Sequence, residues 1–518
     1  MKETASDYEI QLPNIEGLIP SEAIHKLYGI IRECLEQISH LRQENQLLRE
    51  ENKALKKENA TLKEEITALK TEVKELKSRL NMDSHNSSKP PSSDGLKKKP
   101  KNLRIPSEKP SGGQPGHSGN HLKFEENPDE VMSLPLHTCI RCHRSLDGQE
   151  LSGKEIAQIV DIPKPELHVK EIQAPIIICP DCGMVNNASF PPGIQAGTQY
   201  GAGVKSFMVY LNQYQHLPYE RACEVFTEIY GHSISEGTLC NSICECASSL
   251  EEFENQLKGF LRCSWVIHCD ETGVQIKDKR NWMHVASTPF LAYYFVHAGR
   301  GKEAIDAMGI LPSFEGTAVH DFWGGYKKYP CSHSFCNGHL LRELIFARDE
   351  DSSKNAACMI DCLMDIKEVV DVAKAEGPES LPREEQKLLQ NRYDEVVREW
   401  EACIPQDPVV FGKRGRKKQS KTKNLLDRLS DHSPEVLRFM YDFRVPFDNN
   451  LAERDLRMMK LKEKISGLFR SIEGARNFCR IRSYIQTVKK NGLNILEALK
   501  NAFLGIPFML CEMIPSEQ

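Results

Sequence analysis

Leucines recur every seven residues at Leu41, Leu48, Leu55, Leu62, Leu69 and Leu76, in a stretch (24–82) otherwise dominated by Glu and Lys. A heptad sustained this long predicts one extended α-helix with a narrow apolar seam, the pattern of a coiled coil. With those leucines at d, the a positions are Ile38, Asn45, Asn52, Asn59, Ile66, Val73 and Leu80. Three successive a-position asparagines favour a parallel, in-register homodimer, since each carboxamide meets its mate only in that register. A higher oligomer on the same seam is the other expectation. The heptad then gives way over residues 83–125 to Pro, Ser, Gly and Lys. That composition cannot bury enough apolar surface to order itself, so a disordered basic linker is expected.

Further on, the period changes again. Residues 126–195 hold β-like runs such as 167–179, and residues 196–260 return to helical spacing, with Gly231 in a turn before a Ser-started helix. The latter fits a helix-turn-helix, and equally a set of ordinary core helices. From residue 261 the alternation is that of strands: 264–276, 281–289 and 290–299 form an antiparallel meander, 301–311 a helix, 317–323 a strand, 333–336 a short strand and 338–350 a helix. This is the order of a ribonuclease-H-like α/β fold. Residues 351–440 read as a helical insertion with a basic loop, 441–500 as the second part of the core, and 1–23 and 501–518 as terminal segments. The fold class expected is therefore multidomain α/β: a ribonuclease-H-like catalytic core (261–350 and 441–500) with a helical insertion, preceded by a coiled coil, a zinc-binding domain and a helical domain.

Composition sharpens this picture in three places. At 518 residues the chain is too long for one compact core, so three or more folded units are expected. No apolar run approaches the roughly 20 residues of a membrane span, and the polar start does not resemble a signal peptide, so a cytoplasmic protein without a membrane partner is expected. The net charge of −5 is an average over segments. Lys97, Lys98 and Lys99 lie in the linker, and Lys413, Arg414, Arg416, Lys417 and Lys418 stand in the insertion without an acid among them. Both runs suit a phosphate backbone, as they would a solvated loop.

Eighteen cysteines in such a chain read as reduced thiols, with close pairs better explained by metal than by disulfides. Cys139, Cys142, Cys179 and Cys182 form two C-x-x-C knuckles, enough for one tetrahedral structural Zn²⁺, with His137 and His143 as substitute ligands. Cys331, His333, Cys336 and His339 have permissive spacing too. They straddle a predicted strand that would split them between faces, and His339 reads better as a helix-start residue near an acidic site.

That acidic site is drawn from three distant segments. Asp270, Asp321 and Glu453 each place a carboxylate where divalent metal could be shared, Asp270 ending the first strand of the meander, Asp321 ending the fourth strand beside it, and Glu453 on a later helix. Two Mg²⁺ (or Mn²⁺) ions about 4 Å apart stabilise both the attacking and the leaving oxygen of a phosphodiester exchange, and hard oxygen ligands suit them. Strand alternation points Glu271 away from Asp270's face, Asp448 reads as a cap, and Asp455 lies two positions past Glu453 and faces elsewhere. Asn449 and Asn450 read as caps or DNA contacts. Arg454 and Arg457, three apart on one face, suit phosphate or a surface ion pair.

These residues carry a named resemblance. DETGVQI, HDFWGGYKKY followed by CNGHLLREL, and VPFDNNLAERDLRMMKLKEKISGLFRS resemble the three catalytic blocks of the IS66 (insertion sequence) family of bacterial DDE transposases. The leucine-rich helix, the SSKPPSSDG and GGQPGHSG motifs, the paired cysteines and HLPYERACEVF are similar to that family in the same order. KEKISGLF departs from the Arg-Lys-Asn-Trp-Leu-Phe-like run of many members. The resemblance implies that Asp270, Asp321 and Glu453 are a metal-binding triad cutting and joining DNA at the terminal repeats of a mobile element and at its target, with accessory proteins of the same element as partners. A nuclease of similar fold without strand transfer, and a catalytically silent zipper-and-finger DNA-binding protein, are the alternatives.

Overall fold

The structure is a computed structural model that describes residues 20–80, 82, 122–191, 193–351, 353–403 and 420–510. Chain contacts divide it into two units, Met1–Asp83 and Ser84–Gln518. The first is built on α1, Pro20–Leu80, one helix of 61 residues. Leu, Glu, Lys and Ala, all strong helix formers, fill most of it, and Pro20 stands in the first turn where its missing N–H costs nothing. The whole d-position leucine series and Ile38, Ile66, Val73 and Leu80 are exposed on this helix, so its apolar seam is unpaired within the single chain. Asn45, Asn52 and Asn59 each donate a side-chain hydrogen bond to the carbonyl four residues back, at 3.1, 3.1 and 3.0 Å.

In the second unit, residues 122–191 carry only short regular elements. β1 (Ile176–Ile178) pairs antiparallel with β2 (Val185–Asn187), and Thr138 bridges Ser145. The longer β run expected from residue 167 does not form ahead of Ile176. Val169 stays exposed and Leu167 packs half-buried against the apolar cluster, with no opposing strand among the described residues. Four helices follow: α2 (Ala202–Val209), extended by a π turn over Tyr210–Tyr214, α3 (Tyr219–Tyr230), α4 (Glu236–Ser249) and α5 (Glu251–Arg262). Gly231 ends α3 at φ 64°, and the Ser235 hydroxyl caps α4 by accepting from the Thr238 N–H at 3.1 Å.

A five-stranded mixed sheet comes next. β3 (Val266–Ile276), β4 (Lys279–Ser287) and β5 (Ala292–His297) form the antiparallel meander. After α6 (Lys302–Met308) the chain adds β6 (Thr317–His320) and β7 (Ser332–Phe335) in parallel, giving the order β5-β4-β3-β6-β7. Alternation assigns the two faces. Ile267 and Cys269 of β3, Ala286 of β4 and Tyr293 of β5 enter one apolar cluster with α2–α6, α14 (Ile472–Lys490) and α15 (Ile495–Phe503). Val274 and Ile276 of β3, Met283 and Val285 of β4 and Tyr294 of β5 pack on the other face against α13 (Asn450–Ser466) and the start of α14.

Behind β7, α7 (Asn337–Asp351) leads into α8 (Lys354–Glu376), α9 (Arg383–Cys403), α10 (Lys421–Asp431), α11 (Ser433–Val436) and α12 (Arg438–Tyr441). Leu344, Ile366, Tyr393, Trp400, Leu429 and Phe439 give these helices a core of their own. The molecule is thus a mixed α/β protein whose sheet is covered by helices on both faces. The described residues between β7 and α13 form a helical cluster, after which α13 packs against the sheet.

Candidate active site

Register explains why two of the acids meet. The parallel ladder pairs Val266 with Thr317, Ile267 with Ala318 and His268 with Val319. Continued two further steps, that register would set Asp270 opposite Asp321 on the α13 face, and the Asp321 charge does act on Asp270. One expectation is corrected here. Asp270 does not end its strand, because β3 continues to Ile276 against β4; it stands just past the point where the parallel pairing with β6 ends. Asp321 directly follows β6, where its Oδ1 accepts from the Trp323 N–H at 2.9 Å.

Glu453 reaches this site because the start of α13 is pinned to the sheet. Asn449, immediately before the helix, is buried; its Nδ2 donates to the Cys269 carbonyl at 2.8 Å and its Oδ1 lies 2.9 Å from His268 Nδ1. Its own N–H donates to Cys336 Sγ at 3.2 Å. Asn449 is thus the N-cap residue of α13, its carbonyl accepting from the Glu453 N–H at 3.2 Å, but its side chain makes no capping hydrogen bond because it is engaged with β3. Asp448 captures Asn450 instead, accepting from its backbone N–H at 3.0 Å and its side chain at 2.6 Å. Asp455 does face elsewhere: it is buried, 2.8 Å from Lys490 Nζ and 3.0 Å from Gln486 Nε2.

The electrostatics match a gathering of acids. Burial pushes the Asp270 carboxyl well above the ordinary range, and the neighbouring Glu271, Asp321 and Glu453 charges push it further, against one opposing hydrogen bond from the Glu271 N–H. Glu271 is also raised by burial, but it is supported on the opposite face by Arg300, 2.6 Å away, and by the Tyr326 hydroxyl. Glu453 has the weakest protein partners of the three. His339 Nδ1 lies 3.6 Å from its Oε1 and Arg342 3.8 Å from its Oε2. Both Glu453 Oε1 and His339 Nδ1 are buried atoms with no hydrogen-bond partner among the described residues. A buried carboxylate oxygen without a donor is costly, and a divalent cation would relieve it together with the repulsion at Asp270. The residues present therefore fit a hard divalent ion.

His339 is the third residue of α7, at its start and beside the acids. Cys336, His339 and Glu453 are the described side chains whose ligand atoms gather, three together, within 4.8 Å. Burial holds His339 below the ordinary histidine range, toward the neutral imidazole, and pushes the Cys336 thiol up to about 12. Cys331 and His333 do not join them. His333 is engaged by His320 at 2.9 Å and the Tyr329 carbonyl at 3.0 Å, and Cys331 lies in the core. Sequence reasoning named Asn449 as a cap or DNA contact but missed its tie to β3, for which spacing offers no signal, and it missed Arg342. The i, i+3 spacing of His339 and Arg342 on α7 placed them on one face and was readable.

The other candidate sites are less assembled. The knuckles of Cys139/Cys142 and Cys179/Cys182 adopt the same turn: His143 N–H donates to the Cys139 carbonyl at 3.0 Å and Gly183 N–H to the Cys179 carbonyl at 2.9 Å, at φ 57° and 73°. Hydrogen bonds from their own turns hold the Cys139 and Cys179 thiols below the ordinary range. The four thiols do not gather as the Cys336 group does. His137 is 2.8 Å from Asp147 instead. Arg454 and Arg457 are exposed on α13 and have no ion pair among the described residues. The exposed face of α4 carries Glu236 and Glu245 and no Lys or Arg, so as a recognition helix it has no cation for phosphate. Lys97, Lys98, Lys99, Lys413, Arg414, Arg416, Lys417 and Lys418 lie outside the described residues.

Comparison with known proteins adds three findings. The model of the family described as Transposase IS66 family matches residues 197–477. A family of unknown function (DUF6444) matches residues 32–123. An uncharacterized protein, y4jD, of Sinorhizobium fredii (strain NBRC 101917 / NGR234) is 23% identical over 394 residues, covering 71% of this chain and 74% of the relative.

Proposed function

This chain belongs to the IS66 family of transposases, and we propose that it cuts and rejoins DNA at the ends of an insertion sequence by DDE chemistry at Asp270, Asp321 and Glu453. The observation that supports the reading is that Asp270, on β3, feels the charges of Asp321 and Glu453, while Glu453 Oε1 has no donor among the described residues. The ligand atoms gathered within 4.8 Å are those of Cys336, His339 and Glu453, without Asp270 or Asp321. In this reading the five strands and their flanking helices are a ribonuclease-H-like core. Bound divalent metal, Mg²⁺ or Mn²⁺ as a pair, would supply charge stabilisation at the reacting phosphate and an activated oxygen nucleophile. Asp270 and Asp321 hold their carboxylates side by side through strand register, and Glu453 closes the site from the helix. Asn449 fixes where that helix begins, and the neutral His339 and Arg342 orient the Glu453 carboxylate. Cleavage frees a 3′-hydroxyl, which attacks a phosphodiester of the target.

The remaining segments take supporting roles. The unpaired seam of α1 suits a second copy of this chain, joined in parallel through Leu41, Leu48, Leu55, Leu62, Leu69 and Leu76 with Asn45, Asn52 and Asn59 facing their mates. The matched turns of the two cysteine knuckles are halves of one structural Zn²⁺ site. Arg454 and Arg457, with the basic runs of the linker and the insertion, contact the DNA backbone. The test is incubation of the protein with DNA carrying the element's end, Mg²⁺ and a target plasmid. Joined products lost in Asp270→Asn and Glu453→Gln support the proposal. Cleaved but never joined DNA would favour a nuclease.

A further inference from the structure

On the sheet face opposite Asp270, that of Glu271, aromatic and guanidinium groups alternate in a single ladder. Arg280 lies 4.6 Å from the Trp282 ring, Arg300 lies 5.0 Å from the same ring, and Arg300 also lies 4.5 Å from the Trp323 ring. β3–β4 register sets Trp282 opposite Gly273, on the face of Glu271, and Glu271 holds Arg300 by its carboxylate. The ladder runs from the exposed Arg280, through half-exposed Trp282 and Arg300, to half-exposed Trp323. The loop that carries its inner ring starts at the catalytic site, since the backbone N–H of Trp323 donates to Asp321 Oδ1.

The inner ring is seated with care. A Cβ at Gly325 would fall 2.4 Å from the Trp323 indole, so only glycine lets the ring lie against that backbone. The Tyr326 ring meets Trp323 edge-on at 5.3 Å between centroids. Trp282 has a guanidinium at 4.6 Å and another at 5.0 Å, whereas Arg300 is the cation recorded against Trp323. An indole held rigid, half-exposed and two residues from a phosphate-site carboxylate is a stacking platform for a nucleobase. Every base offers a π-face, and neighbouring arginines add cation–π attraction and backbone charge.

We infer that this ladder binds an unstacked DNA base next to the scissile phosphate, with Trp323 as the stacking surface and Arg300 and Arg280 following the strand outward. The inference rests on the DNA-joining reading of the same site and specifies the form in which its substrate is held: a strand end with a base out of the duplex. A fully stacked terminus would leave the indole no base face to meet, and extrusion of a base is repaid by stacking on the ring.

The test uses full-length protein in Ca²⁺, so that affinity is read without turnover. Fluorescein-labelled duplexes, one blunt and one ending in a short run of unpaired thymidines, are titrated by anisotropy. Wild type is expected to prefer the unpaired end. Trp323→Ala should lose that preference by roughly five- to hundredfold, the range for one base–aromatic stack, while blunt-duplex affinity stays constant. Trp323→Phe should restore most of it. If Trp323→Ala keeps the preference, or weakens both probes equally, the ladder is not a base site. A second measurement needs no variant: 2-aminopurine at the unpaired position should be quenched on saturation with wild-type protein, and unchanged emission would overturn the inference. The outcome is separable from the catalytic reading, because Asp270→Asn should retain the preference while losing joined products. Joined products retained in Asp270→Asn would count against the triad and leave the ladder result standing.

Discussion

Cys139 and Cys142 stand three residues apart in one turn, whereas Asp270 and Glu453 are separated by 183 positions (453 − 270) and meet through a sheet and a helix. Both are candidate metal centres. In the first, local hydrogen bonds complete each half of the site, and the two halves are not gathered. In the second nothing is local: strand register, a buried asparagine and a helical cluster bring the acids within reach of one another's charge, although the ligand atoms within 4.8 Å are those of Cys336, His339 and Glu453. The difference teaches that short spacing specifies a half-site, and that long-range packing decides whether a site exists. It also bears on which side chains are left wanting a cation, since among the described residues the packed centre has a buried carboxylate oxygen, Glu453 Oε1, without a donor.

The largest test of that contrast is catalytic. Asp270→Asn and Glu453→Gln should each lower strand transfer by more than about a thousandfold in a product assay, because members of such a unit are not additive. Cys139→Ser should leave the rate of the joining step within about tenfold if the knuckles are structural. A comparable collapse in Cys139→Ser would erase the distinction between the two centres.

On the same helix, Asp455 has what Glu453 lacks, a buried partner. Lys490→Met should therefore destabilise the protein by about 3–5 kcal/mol in chemical denaturation, since it strands a buried carboxylate, and adding Asp455→Leu should recover much of the loss. Breaking the more exposed Lys460–Glu463 pair on that helix should cost less than about 1 kcal/mol. Equal costs at the two pairs would contradict the burial argument.

Asn449→Ala should cost about 1–3 kcal/mol, because His268 Nδ1 and the Cys269 carbonyl lose their partner in the interior. Its effect on joining should exceed that of Asn450→Ala, since Asn449 fixes the start of the helix carrying Glu453. At the cysteine knuckles, purified protein should contain about one zinc per chain by elemental analysis, lost in Cys139→Ser and in Cys179→Ser. Zinc unchanged in both variants would mean that the knuckles do not form one site.

The smallest effect is electrostatic. Without metal, Asp270 titrates above its unfolded value, so across the interval between the two the folded state binds more protons than the unfolded one. Stability from this group therefore falls as pH rises through that interval, and the loss is complete above the folded value. Metal-free Asp270→Asn should be more stable than wild type at neutral pH and show a flatter melting temperature between pH 5 and 8. A steeper profile in the variant would contradict the direction of the shift.

Much of this was legible in the chain. The heptad leucines marked α1, and the change to alternation at residue 264 marked the meander whose strands were then found within a few residues of their expected limits. Asp321 and Glu453 could be singled out by context because strand ends and helix starts leave marks in sequence. Asn449 could not, since its role depends on which strand lies across from it. The β run before Ile176 was misread for a related reason: alternation records a capacity to pair, and no partner strand stands opposite among the described residues.

The central claim is that Asp270, Asp321 and Glu453 hold divalent metal together. It is tested most directly by replacing Mg²⁺ with Fe²⁺ and generating hydroxyl radicals, which cut the polypeptide beside the bound ion. The account predicts backbone cleavage near residues 270, 321 and 453, suppressed by excess Mg²⁺ and lost at all three positions in Asp270→Asn. Cleavage at only one of the three segments, or an unchanged pattern in Asp270→Asn, would contradict it.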